Sequence, residues 1–227
     1  MSQEWRDVGF LHWAVDPDRV APLLPRGVRP DLLDGHTYVG LVPFTMVGAG
    51  LGRGPGIPWL GTFLETNVRV YSIDERGRRG VVFLSLDCDR LAVTVAARAG
   101  FGTPYRWARM RHDRRPVPVG TRHTWGSMVR WPGKNASNRI ELEVGPRRAS
   151  TPLDVFLTAR WALHTTVAGQ GLYVRNAHDP WPLHGARVVG LDDELLATAG
   201  FPDLADRAPD HVAFSPGVHT RFAFPTR

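Results

Sequence analysis

One ten-residue stretch, FLETNVRVYS at 63–72, carries side chains whose types and spacing could do chemistry. Alternate side chains of an extended strand point to the same side, so every second residue of this stretch shares one face. That face carries a carboxylate, an amide, a guanidinium and a phenol: Glu65, Asn67, Arg69 and Tyr71. Such a face either meets water and pairs with charges on neighbouring strands, or lines an interior where the four groups contact a ligand.

Glu65 is the candidate for proton transfer within this set. Burial raises the pKa of a carboxyl group and lets it carry a proton near neutral pH, whereas a neighbouring guanidinium such as that of Arg69 holds it ionised. In either setting, a carboxylate can serve as a general base. The alternative is a solvated carboxylate that only forms charge pairs across the sheet.

Two short helices are predicted outside this strand. DPDRVAPLLP at 16–25 favours a helix because Asp16 can cap it, Pro17 suits its first position, and a later proline stops it. DDELLATAG at 192–200 favours a second helix, which Gly200 ends.

Strands are predicted on both sides of the 63–72 stretch. Residues 36–50 favour a strand that leads into a Gly-rich loop reaching residue 61. The 63–72 strand, the turn DERG and a strand over 80–88 predict a hairpin. Further antiparallel strands are expected up to residue 147 and in the C-terminal third, so the fold class is α+β in a single domain over residues 1–227.

Two longer helices are also predicted. One begins at Asp89 and ends at Gly100, although its β-branched residues also suit a strand. The other spans 151–166, with Thr151 as its cap and Asp154 completing a capping box. Its predicted buried stripe comprises Leu153, Phe156, Leu157, Trp161 and His164.

Composition limits the classes of protein to which the chain can belong. It has 227 residues, 43% of them hydrophobic, without an apolar run of ~18 residues or an N-terminal secretory leader, so we expect a cytoplasmic protein with no membrane partner. Cys88, the only cysteine, excludes an internal disulfide and lies in an apolar stretch typical of a core.

Charge and motifs exclude several further functions. The net charge is +6, but the arginines are scattered and mixed with 22 acidic residues, so we expect no nucleic-acid partner. The chain lacks a GxSxG elbow, a P-loop, a GxGxxG turn and an HExxH helix. Its nine histidines are scattered, so no metal site is predicted. Self-association into a homo-oligomer stays open.

Seven segments, taken in order along residues 10–183, resemble one bacterial family. They are FLHWAVDPDRVAPLLPRG, YVGLVPFTM, FLETNVRVY, GVVFLSLD, AARAGFGTPYRWARM, FLTARW and HDPWPL. The resemblance is to YqjF-like proteins of unknown function, which belong to the acetoacetate decarboxylase-like superfamily. It implies a conical antiparallel β-barrel with a few flanking helices and an enclosed small-molecule cavity, and it places Glu65 in that cavity.

The same resemblance argues against the chemistry of the acetoacetate decarboxylases themselves. Those enzymes carry a Schiff-base lysine and a second lysine in a segment of the form R-x-x-x-x-x-P-K-K. The matching stretch here, RAGFGTPYR, keeps the arginine and the proline but has Tyr105 and Arg106 at the lysine positions. A phenol cannot form an imine, and the only lysine, Lys134, lies in the turn-like stretch WPGKNASN. We therefore expect no imine chemistry.

Tyr105 and Arg106 are then the expected partners of Glu65. The adjacent guanidinium is predicted to lower the pKa of the phenol, which would act as a general acid or donate to an oxyanion. The alternative for Tyr105 is a structural tyrosine whose hydroxyl bonds to the backbone.

Four further residues are candidates for substrate binding. Arg6 matches, by the resemblance, an arginine that binds the substrate carboxylate in the decarboxylases. Arg98 either clamps an anion or pairs with Asp87, and we favour the pair. His178 and Trp181 are expected in the cavity wall, with His178 as a proton relay or else as an ordinary loop histidine.

The resulting functional prediction is a cofactor-independent enzyme of lyase or isomerase/cyclase type that acts on a carbonyl or keto-acid compound. Glu65 would be the base, Tyr105 the acid, and Arg106 with Arg6 or Arg98 the anion holders. Protons would move through an enol, without imine, metal or organic cofactor. The alternative is a non-catalytic ligand-binding or structural barrel, and binding of nucleic acid or another anionic polymer is a weaker third interpretation.

Overall fold

The computed structural model describes residues 2–50, 60–133 and 135–222. Within these ranges the chain forms twelve strands and four α-helices. The strands are β1 (Ser2–Val15), β2 (Val28–Pro30), β3 (Thr37–Val47), β4 (Phe63–Asp74), β5 (Arg79–Cys88), β6 (Tyr105–Pro116), β7 (Thr121–Trp131), β8 (Ser137–Arg147), β9 (Ala162–Val167), β10 (Gln170–His178), β11 (His184–Asp193) and β12 (His211–Phe222). The helices are α1 (Pro17–Val20), α2 (Leu91–Phe101), α3 (Pro152–Thr158) and α4 (Leu195–Thr198). Strands dominate, so the predicted α+β class is confirmed.

These strands belong to one sheet in which β4, β5 and β12 each pair with three other strands, and the short β2 pairs only with the end of β4. Its centre is the antiparallel array β5–β4–β3–β1–β12. Along its other edge, β5 pairs in parallel with β9 near its start and with β6 near its end. β12 likewise pairs with β11 near its start and with β10 near its end. Strands β9–β10 and strands β6–β7–β8–β11 therefore each lead from β5 back to β12 and close two rings with the central array.

Each ring covers its own face of the central array. The core on the β7–β8 side includes Leu11, Trp13, Leu41, Val68, Val70, Trp125, Ile140 and Leu142. The core on the opposite side includes Tyr38, Tyr71, Val81, Phe156 and Leu157. The strand period of two explains this division, because neighbouring residues such as Val70 and Tyr71 point to opposite faces.

Several local predictions are confirmed. The Asp16 carboxylate accepts a 2.9 Å hydrogen bond from the Asp18 amide and caps α1. β4 and β5 form the predicted hairpin. Gly200, at a left-handed φ of 99°, follows α4 as expected. The predicted Gly-rich loop falls mostly on residues 51–59, which lie outside the described residues.

The prediction of a helix after β5 is confirmed, but its ends differ. α2 runs from Leu91 to Phe101 between Arg90 and the left-handed Gly102, rather than from Asp89 to Gly100. Asp89 is not the cap, because its carboxylate accepts a 3.1 Å hydrogen bond from the backbone amide of Leu64 in β4.

The prediction of a helix over 151–166 is only half right. The Thr151–Asp154 capping box forms, but α3 ends at Thr158. Residues beyond it enter β9, which pairs with β10, so Trp161 and His164 do not continue the buried helical stripe. Trp161 is 45% exposed, whereas His164 is buried but belongs to strand β9. Pairing with β10 satisfies backbone groups that a longer helix would otherwise bond internally.

Within the described parts of the chain, the helices are too short or too polar to cross a bilayer.

Candidate active site

The polar face of β4 points into the protein. Glu65 and Asn67 are each 3% exposed, and Tyr71 is fully buried. This face meets an apolar group that we call the aromatic compartment, made up of Trp5, Phe10, Phe44, Phe63, Cys88, Tyr105 and Trp181. The interpretation of the 63–72 stretch as a solvated strand face is therefore wrong, because Glu65, Asn67 and Tyr71 are buried.

A short hydrogen bond joins Glu65 to Tyr105. The Tyr105 hydroxyl donates to Glu65 Oε2 over 2.7 Å. The backbone of Tyr105 is held by parallel pairing with Leu86 of β5, and its carbonyl accepts a 2.9 Å bond from Arg98 Nη1 of α2. β4 and β6 therefore bring together two groups that are 40 residues apart in sequence.

Burial controls the protonation of this pair. Desolvation raises the pKa of Glu65 to about 7, although hydrogen bonds from Tyr105 and Asn67 act in the opposite direction. Burial and the neighbouring Glu65 charge raise the pKa of Tyr105 well above its ordinary value. The predicted lowering of the Tyr105 pKa is wrong, and the phenol stays a protonated donor beside a carboxyl group poised to exchange a proton near pH 7.

The raised pKa of Glu65 predicts a pH-dependent stability difference between the protein and its Glu65→Gln variant. Between pH 4.5 and about 7 the folded protein retains a proton that the unfolded chain has lost, so this group's contribution to stability falls as pH rises through that window. We expect the free energy of unfolding of Glu65→Gln, relative to the unsubstituted protein, to increase by about 3 kcal/mol from pH 4.5 to pH 8.

Urea unfolding of both proteins at several pH values measures this difference, and comparing the two cancels groups that they share. A difference that stays constant with pH would mean that the Glu65 pKa is not raised by folding.

Arg106 lies on the other face of the sheet from Tyr105. Its Nε donates to Asp87 Oδ1 over 2.6 Å, and its Nη1 donates to Thr198 over 2.9 Å. Asp87 is fully buried and also accepts a long 3.4 Å bond from Ser127. The prediction that Arg106 holds an anion beside Tyr105 is therefore wrong, because alternate residues of β6 face opposite sides.

Arg98 and Arg6 also differ from expectation. Arg98 does not pair with Asp87, which Arg106 occupies; it donates to the Tyr105 carbonyl and lies over the Trp131 ring. Arg6 forms an ion pair with Glu4, and its side chain is 56% exposed. The geometry thus gives Arg98 a structural contact and places Arg6 in a surface pair rather than against Glu65.

Arg69 is the cation that shares the buried face with Glu65. Its Nη2 donates to the Tyr71 hydroxyl over 3.2 Å and to the Leu157 carbonyl over 3.3 Å. Its guanidinium also lies 5.7 Å from the centres of the Phe10 and Tyr71 rings. Arg69 is therefore held from two sides at the edge of the aromatic compartment.

His178 and Trp181 pack against the same compartment. Trp181 stacks on Trp5 at 5.8 Å, and its Nε1 donates to the Thr158 carbonyl over 3.1 Å. His178 lies 5.1 Å from the Trp181 ring and 2.7 Å from the Asp179 carbonyl through Nδ1. Burial lowers the pKa of His178, so it is neutral at pH 7. Their role as a cavity wall stays a prediction.

Three polar atoms near the compartment have no hydrogen-bond partner among the described residues. They are Asn67 Oδ1, Arg69 Nε and Trp5 Nε1. Buried polar groups are usually paired, so one unpaired acceptor and two unpaired donors fit a small polar ligand or ordered water.

A cavity among the described residues lies elsewhere. It measures about 400 Å³ and is lined by Gly102, Thr103 and Pro104 together with residues of β5 and β9. Glu65 and Tyr105 do not line it. The buried carboxyl–phenol pair, rather than an open volume, therefore marks the candidate site.

The remaining sequence predictions concern Lys134, Cys88 and a metal site. Lys134 lies outside the described residues. Cys88 is buried as expected of a core residue, and burial raises the pKa of its thiol. Within the described ranges, three or more His, Cys, Asp or Glu side chains do not gather in a metal-holding arrangement.

The fold is similar to that of several solved structures, among them an acetoacetate decarboxylase and an acetoacetate decarboxylase-like enzyme. An acetoacetate decarboxylase-like enzyme from Sphingomonas wittichii RW1 is 16% identical, with a TM-score of 0.64 over 100% of this chain and 92% of that one. The acetoacetate decarboxylase of Legionella pneumophila is 12% identical, with a TM-score of 0.60 over 99% and 87%. The enduracididine biosynthesis enzyme MppR complexed with pyruvate is 18% identical, with a TM-score of 0.57 over 97% and 89%. The predicted acetoacetate decarboxylase-like fold is confirmed.

The chain belongs to the DUF2071 family, described as an uncharacterized conserved protein, whose model matches residues 2–219. It is 29% identical over 194 residues to the uncharacterized protein YqjF of Bacillus subtilis (strain 168), which covers 82% of this chain and 76% of YqjF. The family resemblance predicted from the seven ordered segments is therefore confirmed.

Proposed function

We propose that the protein is a small-molecule enzyme of lyase or isomerase/cyclase type that acts on a carbonyl or keto-acid compound. It works by proton transfer through an enol and forms no imine. The observation that carries the proposal is the 2.7 Å bond between Tyr105 and Glu65, in which a carboxyl group with a pKa near 7 adjoins a protonated phenol.

Glu65 is the base in this proposal. A pKa near the working pH combines a useful ionised fraction with enough basicity to remove a proton from the carbon beside a carbonyl. Once Glu65 is protonated, it no longer needs the Tyr105 hydroxyl as a charge-stabilising donor. The phenol can then donate to the oxygen on which enolate charge develops.

Arg69 replaces Arg106 as the proposed anion holder. It extends from the same face of β4 as Glu65, and its Nε has no partner among the described residues. A guanidinium suits a carboxylate because its donors match both oxygens. Asn67 Oδ1 would accept a hydrogen bond from a ligand hydroxyl, and the aromatic rings would cover the apolar part.

Structural relatives support the substrate class but not a particular reaction. MppR has been solved with pyruvate, a keto acid, and with a condensation product of pyruvate and imidazole 4-carboxaldehyde. The enolisation common to lyases, isomerases and cyclases would use the same base and donor, so the pair does not distinguish among them.

The second candidate is a ligand-binding barrel without catalysis. It is favoured by the hydrogen bonds of Arg106 to Asp87 and Thr198, which remove one cation expected at the site. Binding alone would stabilise the folded protein, by about 2.7 kcal/mol at a ligand concentration 100 times Kd. It would leave the ligand's protons in place.

Hydrogen exchange in D₂O distinguishes the two functions. Keto acids selected by a thermal-shift screen are incubated with the protein, and NMR follows deuterium entering the carbon beside the carbonyl. We expect exchange with the unsubstituted protein, and a rate at least about 10-fold slower with Glu65→Gln, a threshold set below the about 100- to 10,000-fold effect of a general base. Glu4→Gln, which alters the exposed pair with Arg6, is the matched control and should exchange at the original rate.

Binding without exchange would favour the non-catalytic barrel. Exchange that is equally fast in Glu65→Gln would remove Glu65 from the mechanism.

A further inference from the structure

A second set of buried polar groups lies on the face of the central array that carries Arg69. Three hydrogen-bond contacts join four side chains end to end: Asp154 Oδ1 to His211 Nε2 at 2.7 Å, His211 Nδ1 to His12 Nδ1 at 2.9 Å, and His12 Nε2 to the Tyr71 hydroxyl at 2.7 Å. Each of the four residues is at most 8% exposed. We call this chain of contacts the buried relay.

The Asp154 end of the buried relay has a fixed direction. Although burial acts in the opposite sense, hydrogen bonds from Arg148, His211 and Thr151 hold the pKa of Asp154 below its usual range. Arg148 donates to both carboxylate oxygens, at 2.6 and 2.7 Å. An ionised carboxylate only accepts hydrogen bonds, so His211 must donate to it from Nε2.

With both histidines neutral, the remaining protons have one consistent arrangement. His211 carries its proton on Nε2, so its Nδ1 accepts from His12 Nδ1–H. His12 Nε2 then accepts from the Tyr71 hydroxyl. Arg69 Nη2 supplies hydrogen bonds to the Tyr71 oxygen and to the Leu157 carbonyl, so every acceptor in the chain is paired.

One added proton reverses the middle of the buried relay without moving a heavy atom. His211 becomes the imidazolium and donates from Nδ1 to His12 Nδ1. His12 then carries its proton on Nε2 and donates to the Tyr71 oxygen. The Tyr71 hydroxyl turns to the Leu157 carbonyl, which lies 3.0 Å away and is already an acceptor for Arg69.

The charges around the buried relay place the added proton at its His211 end. His211 faces the Asp154 carboxylate, with Arg148 beyond it. His12 faces His211 and the Arg69 guanidinium, both unfavourable to a second positive charge. The guanidinium of Arg160 lies 5.0 Å from the centre of the Tyr71 ring, at the other end of the buried relay. Arg160 is itself paired with Asp31.

We propose that Asp154, His211, His12 and Tyr71 form a proton relay that takes up one proton as a unit and reverses the tautomer of His12 in doing so. The same event moves the Tyr71 hydroxyl from His12 to the carbonyl that it shares with Arg69, so protonation of a buried histidine changes the hydrogen bonding of the cation on Glu65's face. This inference is independent of catalysis at Glu65.

Long-range ¹H–¹⁵N NMR of the histidine rings tests the proposal in the intact protein without a substrate. At neutral pH we expect the proton on Nδ1 of His12 and on Nε2 of His211. On acidification, His211 should become the imidazolium at the same midpoint at which His12 changes to the Nε2–H tautomer. His164, which bonds to Ser72 outside the buried relay, is the internal control and should titrate separately.

Variants test the Tyr71 end. Tyr71→Phe leaves the new His12 Nε2–H without an acceptor, so we expect proton uptake to move to lower pH by at least about threefold in proton concentration. Tyr38→Phe, in the same apolar cluster but outside the buried relay, should leave the midpoint unchanged.

Three results would overturn the proposal. His12 could carry its proton on Nε2 at neutral pH, the two histidines could titrate at different midpoints, or both could stay neutral until the protein unfolds. The ring spectra of the unsubstituted protein alone distinguish these results, even if a variant does not fold.

Discussion

Replacing Tyr105 with phenylalanine is expected to slow deuterium exchange into a keto-acid ligand by about 100- to 1,000-fold. The substitution keeps the ring and its packing but deletes the hydroxyl that donates to Glu65 Oε2. If the phenol also stabilises the developing enolate, its removal costs about 2.7 to 4 kcal/mol of transition-state stabilisation, as for one oxyanion-hole donor. NMR of the ligand in D₂O measures the rate.

The Tyr105→Phe variant should also change the pH dependence of the reaction. Hydrogen bonding from Tyr105 lowers the pKa of Glu65, so its loss should raise that pKa further above 7. The exchange rate of the variant should therefore continue to rise to higher pH than that of the unsubstituted protein. ¹³C NMR of the Glu65 carboxyl measures the same change directly, whether or not a substrate has been found.

Tyr173→Phe is the matched control, because its hydroxyl contacts the Arg79 carbonyl at 3.3 Å, away from Glu65. An exchange rate for Tyr105→Phe within about twofold of this control would show that the phenol supplies no donor to the transition state. An unchanged Glu65 pKa would show that the hydrogen bond between the two groups is unimportant in solution.

Replacing Arg106 with methionine is expected to lower the free energy of unfolding by about 3 to 5 kcal/mol. The substitution leaves the Asp87 carboxylate fully buried without its ion-pair partner, and removing one member of a buried pair carries a penalty of this size. Burial already raises the pKa of Asp87 while Arg106 opposes the rise. Urea unfolding near pH 7 measures the loss.

Two comparisons separate this effect from a general loss of charge. Arg19→Met removes a guanidinium from the exposed pair with Asp203 and should cost at most about 1 kcal/mol. The double substitution Arg106→Met with Asp87→Leu should recover much of the stability, because apolar residues of similar size often replace a buried ion pair without loss. A loss below 1 kcal/mol for Arg106→Met alone would mean that Asp87 is not isolated from water.

Much of the local structure could be predicted from short-range patterns. The capping residues of α1 and α3 lie within three positions of the amides they bind, so their effect is independent of the rest of the fold. The length of α3 could not be predicted in this way. Residues after Thr158 suit a helix by local propensity, but in the folded chain they form β9, which pairs with the following strand β10. Local propensity does not include the stabilisation that such pairing supplies.

The buried relay illustrates what residue-by-residue analysis of the sequence misses. His12 and His211 are 199 residues apart, and neither lies in a metal-like or catalytic motif. Antiparallel pairing of β1 with β12 sets them directly opposite each other. Predicting their contact from the sequence would have required the pairing register of β1 and β12, and the spacing of residues along the chain does not contain that register.

Alternation along β4 was enough to predict which of its side chains share a face, because a strand sends alternate residues to the same side whatever surrounds it. The resemblance to the acetoacetate decarboxylases also predicted that Tyr105 stands at the position of their Schiff-base lysine, and this match stays a prediction. The folded chain was needed to show that Tyr105 donates a hydrogen bond to a buried Glu65 and that Arg106 turns away to Asp87. Those outcomes depend on which strands close over each face of the central array. Burial and nearby charges shift the pKa of a side chain only at short range, and strand pairing is what brings the groups into that range.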